Sequence, residues 1–184
     1  MKHLLMPAFL LLILLATGCP PKPPDIENQP ASTAPPKQVF DPERGVSIMV
    51  PEDWKIVFKP GNPFIFAMAP GAGDYGPMVN VVVEDLSQRM HPYDYLQANI
   101  PTLRLSLPQL AIDRSGIETQ GGINLAWIVY SYPRGAVKVW ALAYAQTVEF
   151  KAYVTTGIAP EELFKPYETA FRSIGRSLRV EPGR

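Results

Sequence analysis

The chain has 184 residues, with 17 Lys and Arg against 17 Asp and Glu, so its formal charge is zero and only 18% of it is charged. That balance gives no basic footprint for nucleic acid and no acidic tail. A single cysteine excludes a disulfide within the chain, and two histidines leave few soft ligands for a transition metal.

Residues 1–18 read as a secretory leader: Lys2 and His3, an apolar run over residues 4–16, then Thr17 and Gly18. The run is too short for a spanning helix, which takes about 20 apolar residues. Ala16-Thr17-Gly18-Cys19 resembles the lipobox of bacterial lipoproteins, with Ala16 standing where leucine is commonest. The resemblance implies that Cys19 becomes the lipidated first residue, carrying palmitate-type acyl chains. At about 0.8 kcal/mol per buried methylene, several such chains anchor effectively permanently. The alternative is an ordinary leader whose cysteine is incidental.

Residues 19–37 hold seven prolines between Pro20 and Pro36. Proline fixes φ and removes amide donors, so an extended polyproline II tether is expected, able to span up to roughly 55 Å at about 3.1 Å per residue. Plain disordered filler has the same composition. Residues 38–184 then turn globular and form one domain, for which about 145 residues imply a radius of gyration of roughly 15 Å.

Within it, residues 39–40 and 46–50 read as a hairpin around Asp41-Pro42-Glu43-Arg44-Gly45. Strands follow over residues 54–58, 64–69 and 79–85. Ser87 is the expected N-cap of a helix carrying Tyr93, Leu96, Ile100 and Leu103 at spacings of three and four, with Pro92 in its first turn and Pro101 as its stop. A strand over residues 111–119 leads through Gly121-Gly122 into three runs, residues 123–132, 137–146 and 149–156, rich in β-branched and aromatic side chains. The gaps between these runs are too short for parallel crossovers, so they form an antiparallel meander. Leu125, Trp127 and Val129 alternate with Ala126, Ile128 and Tyr130, so both faces need cover. A C-terminal helical segment with Leu163, Phe164, Tyr167, Ala170, Phe171 and Ile174 on one face is expected to break at Pro166 and close at Gly175. It covers one face of the sheet while the earlier helix covers the other face or an end. The expected class is α+β, an antiparallel sheet sandwiched between helices.

The run from Gly45 through Pro51-Glu52-Asp53-Trp54, the strand opening Asn80-Val81-Val82-Val83, the Gly121-Gly122 turn and the closing Phe164-x-x-Tyr167-x-x-x-Phe171-x-x-Ile174-x-x-Ser177 together resemble the PsbP-like superfamily. That group includes photosystem II PsbP proteins, bacterial DcrB-type lipoproteins and a Ran-binding import factor. The resemblance covers residues 39–180 and implies an α/β/α sandwich; it transfers fold far better than function.

No catalytic constellation emerges. Gly71-Ala72-Gly73-Asp74-Tyr75-Gly76 spells G-x-G-x-x-G, but a strand follows instead of the helix whose amides would hold a phosphate. His91 with Asp94 is the one conceivable nucleophile-activating pair, and His91 before Pro92 equally suits a helix entrance. Glu52-Asp53 and Glu84-Asp85 form a weak cation site only if folding joins them; otherwise they are solvated. Arg172, Arg176 and Arg179 complement a helix C-terminus, or alternatively face an anionic surface or acidic partner. The expected function is therefore non-enzymatic: a lipoprotein anchored in a bacterial membrane, facing the periplasm or exterior, serving as accessory or assembly subunit of a membrane protein complex, with no cofactor and no metal. The alternatives are a small-ligand carrier with a pocket between sheet and helix lined by Trp127, Trp140 and Tyr144, and a hydrolase centred on His91.

Overall fold

The computed structural model describes residues 32–58, 65–72 and 76–181. The leader, Cys19, most of the tether and the centre of the G-x-G-x-x-G stretch lie outside the described residues. The elements run β1 (Pro36–Asp41), β2 (Val46–Pro51), β3 (Lys55–Phe58), β4 (Ile65–Met68), β5 (Met78–Asp85), α1 (Pro92–Ser106), β6 (Ala111–Gln120), β7 (Ile123–Arg134), β8 (Val137–Val148), β9 (Lys151–Pro160), α2 (Glu161–Arg176) and β10 (Arg179–Val180).

Seven strands form one sheet in the order β3-β4-β5-β9-β8-β7-β6, and β1-β2-β10 form a second, smaller one. The meander is antiparallel as expected: Tyr130 stands opposite Ala141, and Ala141 opposite Ile158. The alternation on β7 sorts the core. Leu125 and Val129 join Leu142, Tyr144 and the α2 residues Leu163, Phe164, Tyr167, Phe171 and Ile174. Ala126, Ile128 and Tyr130 join Ala141, Ala143, Ala145 and the α1 residues Tyr95, Leu96 and Leu103. On β8 the large side chains thus face α2 and the alanines face α1, so that α1 can lie close to the sheet. The result is an α+β sandwich with a helix on each face.

The small sheet adds to the α2 side. Val39, Val46, Ile48 and Val50 share its core, and Trp54, 1% exposed, sets its ring 6.2 Å from Tyr167 and 6.4 Å from Phe171. Ser177 Oγ accepts from the Met49 amide at 2.8 Å, tying the end of α2 to β2. At Gly175 an added Cβ would overlap the Tyr144 ring, and at Gly157 the Phe171 ring. Glycine at both places lets α2 seat against the sheet.

Three expectations about helix ends are corrected. The N-cap of α1 is His91, not Ser87: the residue before a proline is pushed into extended backbone, and His91 has φ −69° and ψ 145° with Nδ1 accepting from the Tyr93 amide. Leu86, by contrast, is held to the sheet by donating to the Phe150 carbonyl. Pro101 does not end α1, which continues to Ser106. Its ring is exposed, one backbone bond is forgone, and buried Leu103 and Leu107 hold the following turn on the sheet. Nor does α2 break at Pro166 or close at Gly175. It is one helix capped by Ser177, with Pro166 exposed and Gly175 buried inside it.

Candidate functional site

The expected site residues fall in two places. Trp127, Trp140 and Tyr144 all face α2, but the space between sheet and helix beside them is occupied. Tyr144 lies against Gly175, Trp140 has its ring 5.5 Å from that of Phe164, and Trp127 carries the Arg172 guanidinium 4.9 Å above its ring. The Trp140 indole N–H donates to Glu161 at 3.2 Å, and Lys138 bonds the same carboxylate at 2.5 Å.

Arg172 and Arg176 are tied into a charge network between α2 and the edge strand β6. Arg176 donates to both Glu118 oxygens at 2.7 and 2.8 Å, a bidentate pair. Arg172 bonds Glu168 at 2.7 and 2.9 Å and the Tyr144 hydroxyl at 3.2 Å. Arg114 closes the row on Glu168 at 2.8 Å. Bonding from Arg176 holds the Glu118 carboxyl below the usual carboxylate range. Burial opposes the same shift at Glu168, yet the bonds from Arg114 and Arg172 outweigh it and the pKa is lowered. Arg179 caps carbonyls, donating to those of Arg176 and Leu178 at 2.9 and 2.7 Å. Sequence reasoning overlooked Arg114, Glu118 and Glu168. The signal was present in β6, whose alternate residues Arg114 and Glu118 flank Gly116 on the face turned to α2.

The carboxylate pairs separate. Glu84 is buried, accepting from the Tyr95 hydroxyl at 2.7 Å with its other oxygen unpartnered, whereas Asp85 is exposed and bonds Lys151 at 2.6 Å. Desolvation pushes the Glu84 carboxyl up, which favours its neutral form, and pushes the Tyr95 hydroxyl up as well. Asp53 takes the Ser32 hydroxyl at 2.7 Å. Among the described residues no three His, Cys, Asp or Glu side chains converge as metal ligands, and no helix is long and apolar enough to cross a membrane. His91 uses Nδ1 to cap α1, so that nitrogen does not face Asp94.

His91 also lines an open cleft of about 360 Å³ with Met90, Pro92, Gly122, Ile123, Asn124, Gln146 and Thr147. Its cause is visible in the sheet. The β7–β8 ladder begins at Ala126↔Ala145, although β7 starts at Ile123 and β8 runs on to Val148. Residues 123–125 stay paired with β6 and residues 146–148 with β9, so the two hairpins part like a fork. The N-terminus of α1 sits at the fork, held by the Thr147 hydroxyl donating to the Met90 carbonyl at 2.7 Å. Gln146, 6% exposed, lines the cleft with its Oε1 unpartnered.

No protein-family model matches the chain, and no curated protein matches it in sequence. Solved structures do share its architecture. The cyanobacterial PsbP (CyanoP) of Synechocystis sp. PCC 6803 aligns over 81% of this chain and 94% of its own at 15% identity, TM-score 0.62. LpqN of Mycobacterium tuberculosis, involved in cell envelope biogenesis, aligns over 82% and 93% at 16% identity, TM-score 0.60. The Saccharomyces cerevisiae Ran-binding protein Mog1p aligns over 80% and 96% at 8% identity, TM-score 0.58.

Proposed function

From a PsbP-like fold, which these structural likenesses establish, we propose that the protein is an extracytoplasmic accessory module that works by binding another protein. The carrying observation is that the described domain aligns nearly end to end with CyanoP, LpqN and Mog1p, of which one is involved in envelope biogenesis and one binds Ran. The reading is supported by the inward use of the domain's strongest polar chemistry: Glu84 meets Tyr95, and the arginines of α2 meet Glu118 and Glu168. These groups hold elements together and are spent before any substrate arrives.

In this proposal Cys19 carries the lipid anchor, the proline-rich residues ahead of β1, which begins at Pro36 rather than after residue 37, form the spacer, and the domain stands off a bacterial membrane against a membrane protein complex. The test is affinity capture of the full-length chain from detergent-solubilised membranes, beside a Cys19→Ala variant. The expected result is one partner recovered at constant stoichiometry with the parent chain, and release of the variant from the membrane fraction. Repeated recovery of the chain alone would overturn the accessory role, and an unchanged membrane fraction for Cys19→Ala would overturn the anchor.

A further inference from the structure

We propose that the protein pairs with a second copy of itself through β6, the two strands running antiparallel about a two-fold axis at Gly116 and joining two seven-stranded sheets into one. Among the described residues β6 ends the sheet, with β7 its only neighbour. The helices lie chiefly over β7, β8 and β9, which leaves β6 at the margin. An edge strand of 10 residues offers a row of unpaired N–H and C=O groups to another strand. Past the bulge between Ile112 and Arg114, residues 114–120 run regularly against β7.

Which groups face outward follows from the turn. Gly121 and Gly122 have φ of 57° and 82°, the type I′ geometry that closes a two-residue hairpin on a hydrogen-bonded pair, here Gln120 and Ile123. Pairs alternate along an antiparallel ladder, so Glu118 and Gly116 also spend their backbone groups on β7, while Thr119, Ile117 and Ser115 turn theirs outward. All three are exposed. Outward residues pair only with outward residues, which leaves a second copy few registers.

Charge selects among them. Residues 114–118 read Arg-Ser-Gly-Ile-Glu, with opposite charges equidistant from Gly116. Setting Gly116 against its own copy places Arg114 of each chain opposite Glu118 of the other, in non-hydrogen-bonded pairs with Cα atoms about 4.5 Å apart. Ser115 and Ile117 then exchange backbone bonds with Ile117 and Ser115 of the other copy. Sliding one allowed step either way sets Gly116 against Glu118 or against Arg114, and the charge pairs are lost. Both side chains have bonding capacity left. Arg114, 44% exposed, gives one nitrogen to Asp113 and one to Glu168, and each Glu118 oxygen accepts one bond from Arg176 and keeps a second lone pair. Nothing stands on the axis to hold the strands apart, because Gly116 has no side chain; a Cβ there would lie 2.8 Å from the Trp127 ring. On the opposite face Ile117, a large apolar side chain 50% exposed, gains cover from Ser115 and, diagonally, Ile117 of the other copy. The contact is self-complementary, so it closes as a dimer instead of growing into a fibre. One strand per chain is a small interface beside the roughly 1,200–2,000 Å² of stable complexes, so the dimer is reversible.

The test is sedimentation equilibrium of the full-length chain in density-matched detergent between roughly 1 and 300 μM, the range of weak specific association, with amide hydrogen exchange read at both ends of that range. The expected result is a monomer–dimer equilibrium in which the Ser115 and Ile117 amides exchange more slowly at the high concentration. Arg114→Glu and Glu118→Arg should each weaken the dimer by about tenfold or more, since each sets like charges opposite one another. Mixed in equal amounts, the two variants should associate with each other, because this register then opposes Glu to Arg at both places. Should either variant not fold, the exchange of the parent chain decides alone. A monomer throughout the range, a dimer that leaves exchange at Ser115 and Ile117 unchanged, or reversals with no loss alone and no gain on mixing would overturn the proposal. So would a membrane partner that protects these two amides while the chain by itself stays monomeric, which would give the edge to that partner's strand.

Discussion

Glu84 shows what a single buried carboxyl does to the energetics of this domain. Its Oε2 accepts from Tyr95, but Oε1 faces no donor, and burial raises its pKa above the usual carboxylate value. The folded state therefore holds the proton more tightly than the unfolded chain does. Its contribution to stability is fully present below the unfolded value near 4.5 and is lost as pH rises through the raised folded value. Glu118 and Glu168 act oppositely: their lowered values mean that stability is present above about 4.5 and falls away on acidification. Both of these pairs are partly solvated, so each is worth at most about 1 kcal/mol. Glu84→Gln keeps an acceptor for Tyr95 and removes the titration. Urea unfolding of the variant and the parent at pH 4 and pH 7 should show the variant gaining on the parent as pH rises. A gap that is constant across this range would mean that Glu84 is not the group responsible.

At the scale of elements, α1 tolerates a defect that propensity alone forbids. A proline inside a helix costs roughly 3 kcal/mol through a lost bond and a clash with the preceding turn, yet α1 runs on past Pro101. Tertiary packing offsets that cost, because Leu103 and Leu107 on the far side of the proline are both buried against the sheet. Pro101→Ala restores the donor at an exposed position without touching the core. It should raise stability by about 1–3 kcal/mol, read from the denaturation midpoint at unchanged slope. A midpoint at or below that of the parent chain would mean that the proline relieves something that the straight helix would create. The same competition explains why this helix end was not legible: Pro101 signals a stop, and only its exposed placement, decided by the sheet beneath, cancels it.

For the whole molecule, each sheet face depends on a different part of the chain. The α2 face is closed by residues that come last, Leu163, Phe164, Tyr167, Phe171 and Ile174, each 5% exposed or less. At about 1.5–3 kcal/mol per buried side chain, these five contribute on the order of 7–15 kcal/mol, comparable with the whole stability of an ordinary domain. A chain ending after Pro160 should consequently show no cooperative thermal transition and should bind a hydrophobic dye. A sharp transition near the parent's midpoint would show that β1, β2 and the sheet suffice without the helix.

By themselves, the residues determined the strand runs, the antiparallel meander, the two-faced alternation on β7 and the apolar stripe of α2. Periodicity, β-branching and short gaps are local properties, and a local pattern has few foldable solutions. Only the tertiary structure decided where the helices begin and end, which arginine meets which carboxylate, and that β7 and β8 part at one end to open a cleft. The Arg176–Glu118 pair joins residues 58 positions apart, and the fork depends on where a ladder shared by two hairpins starts. Both are set by long-range register, to which no short window of sequence has access.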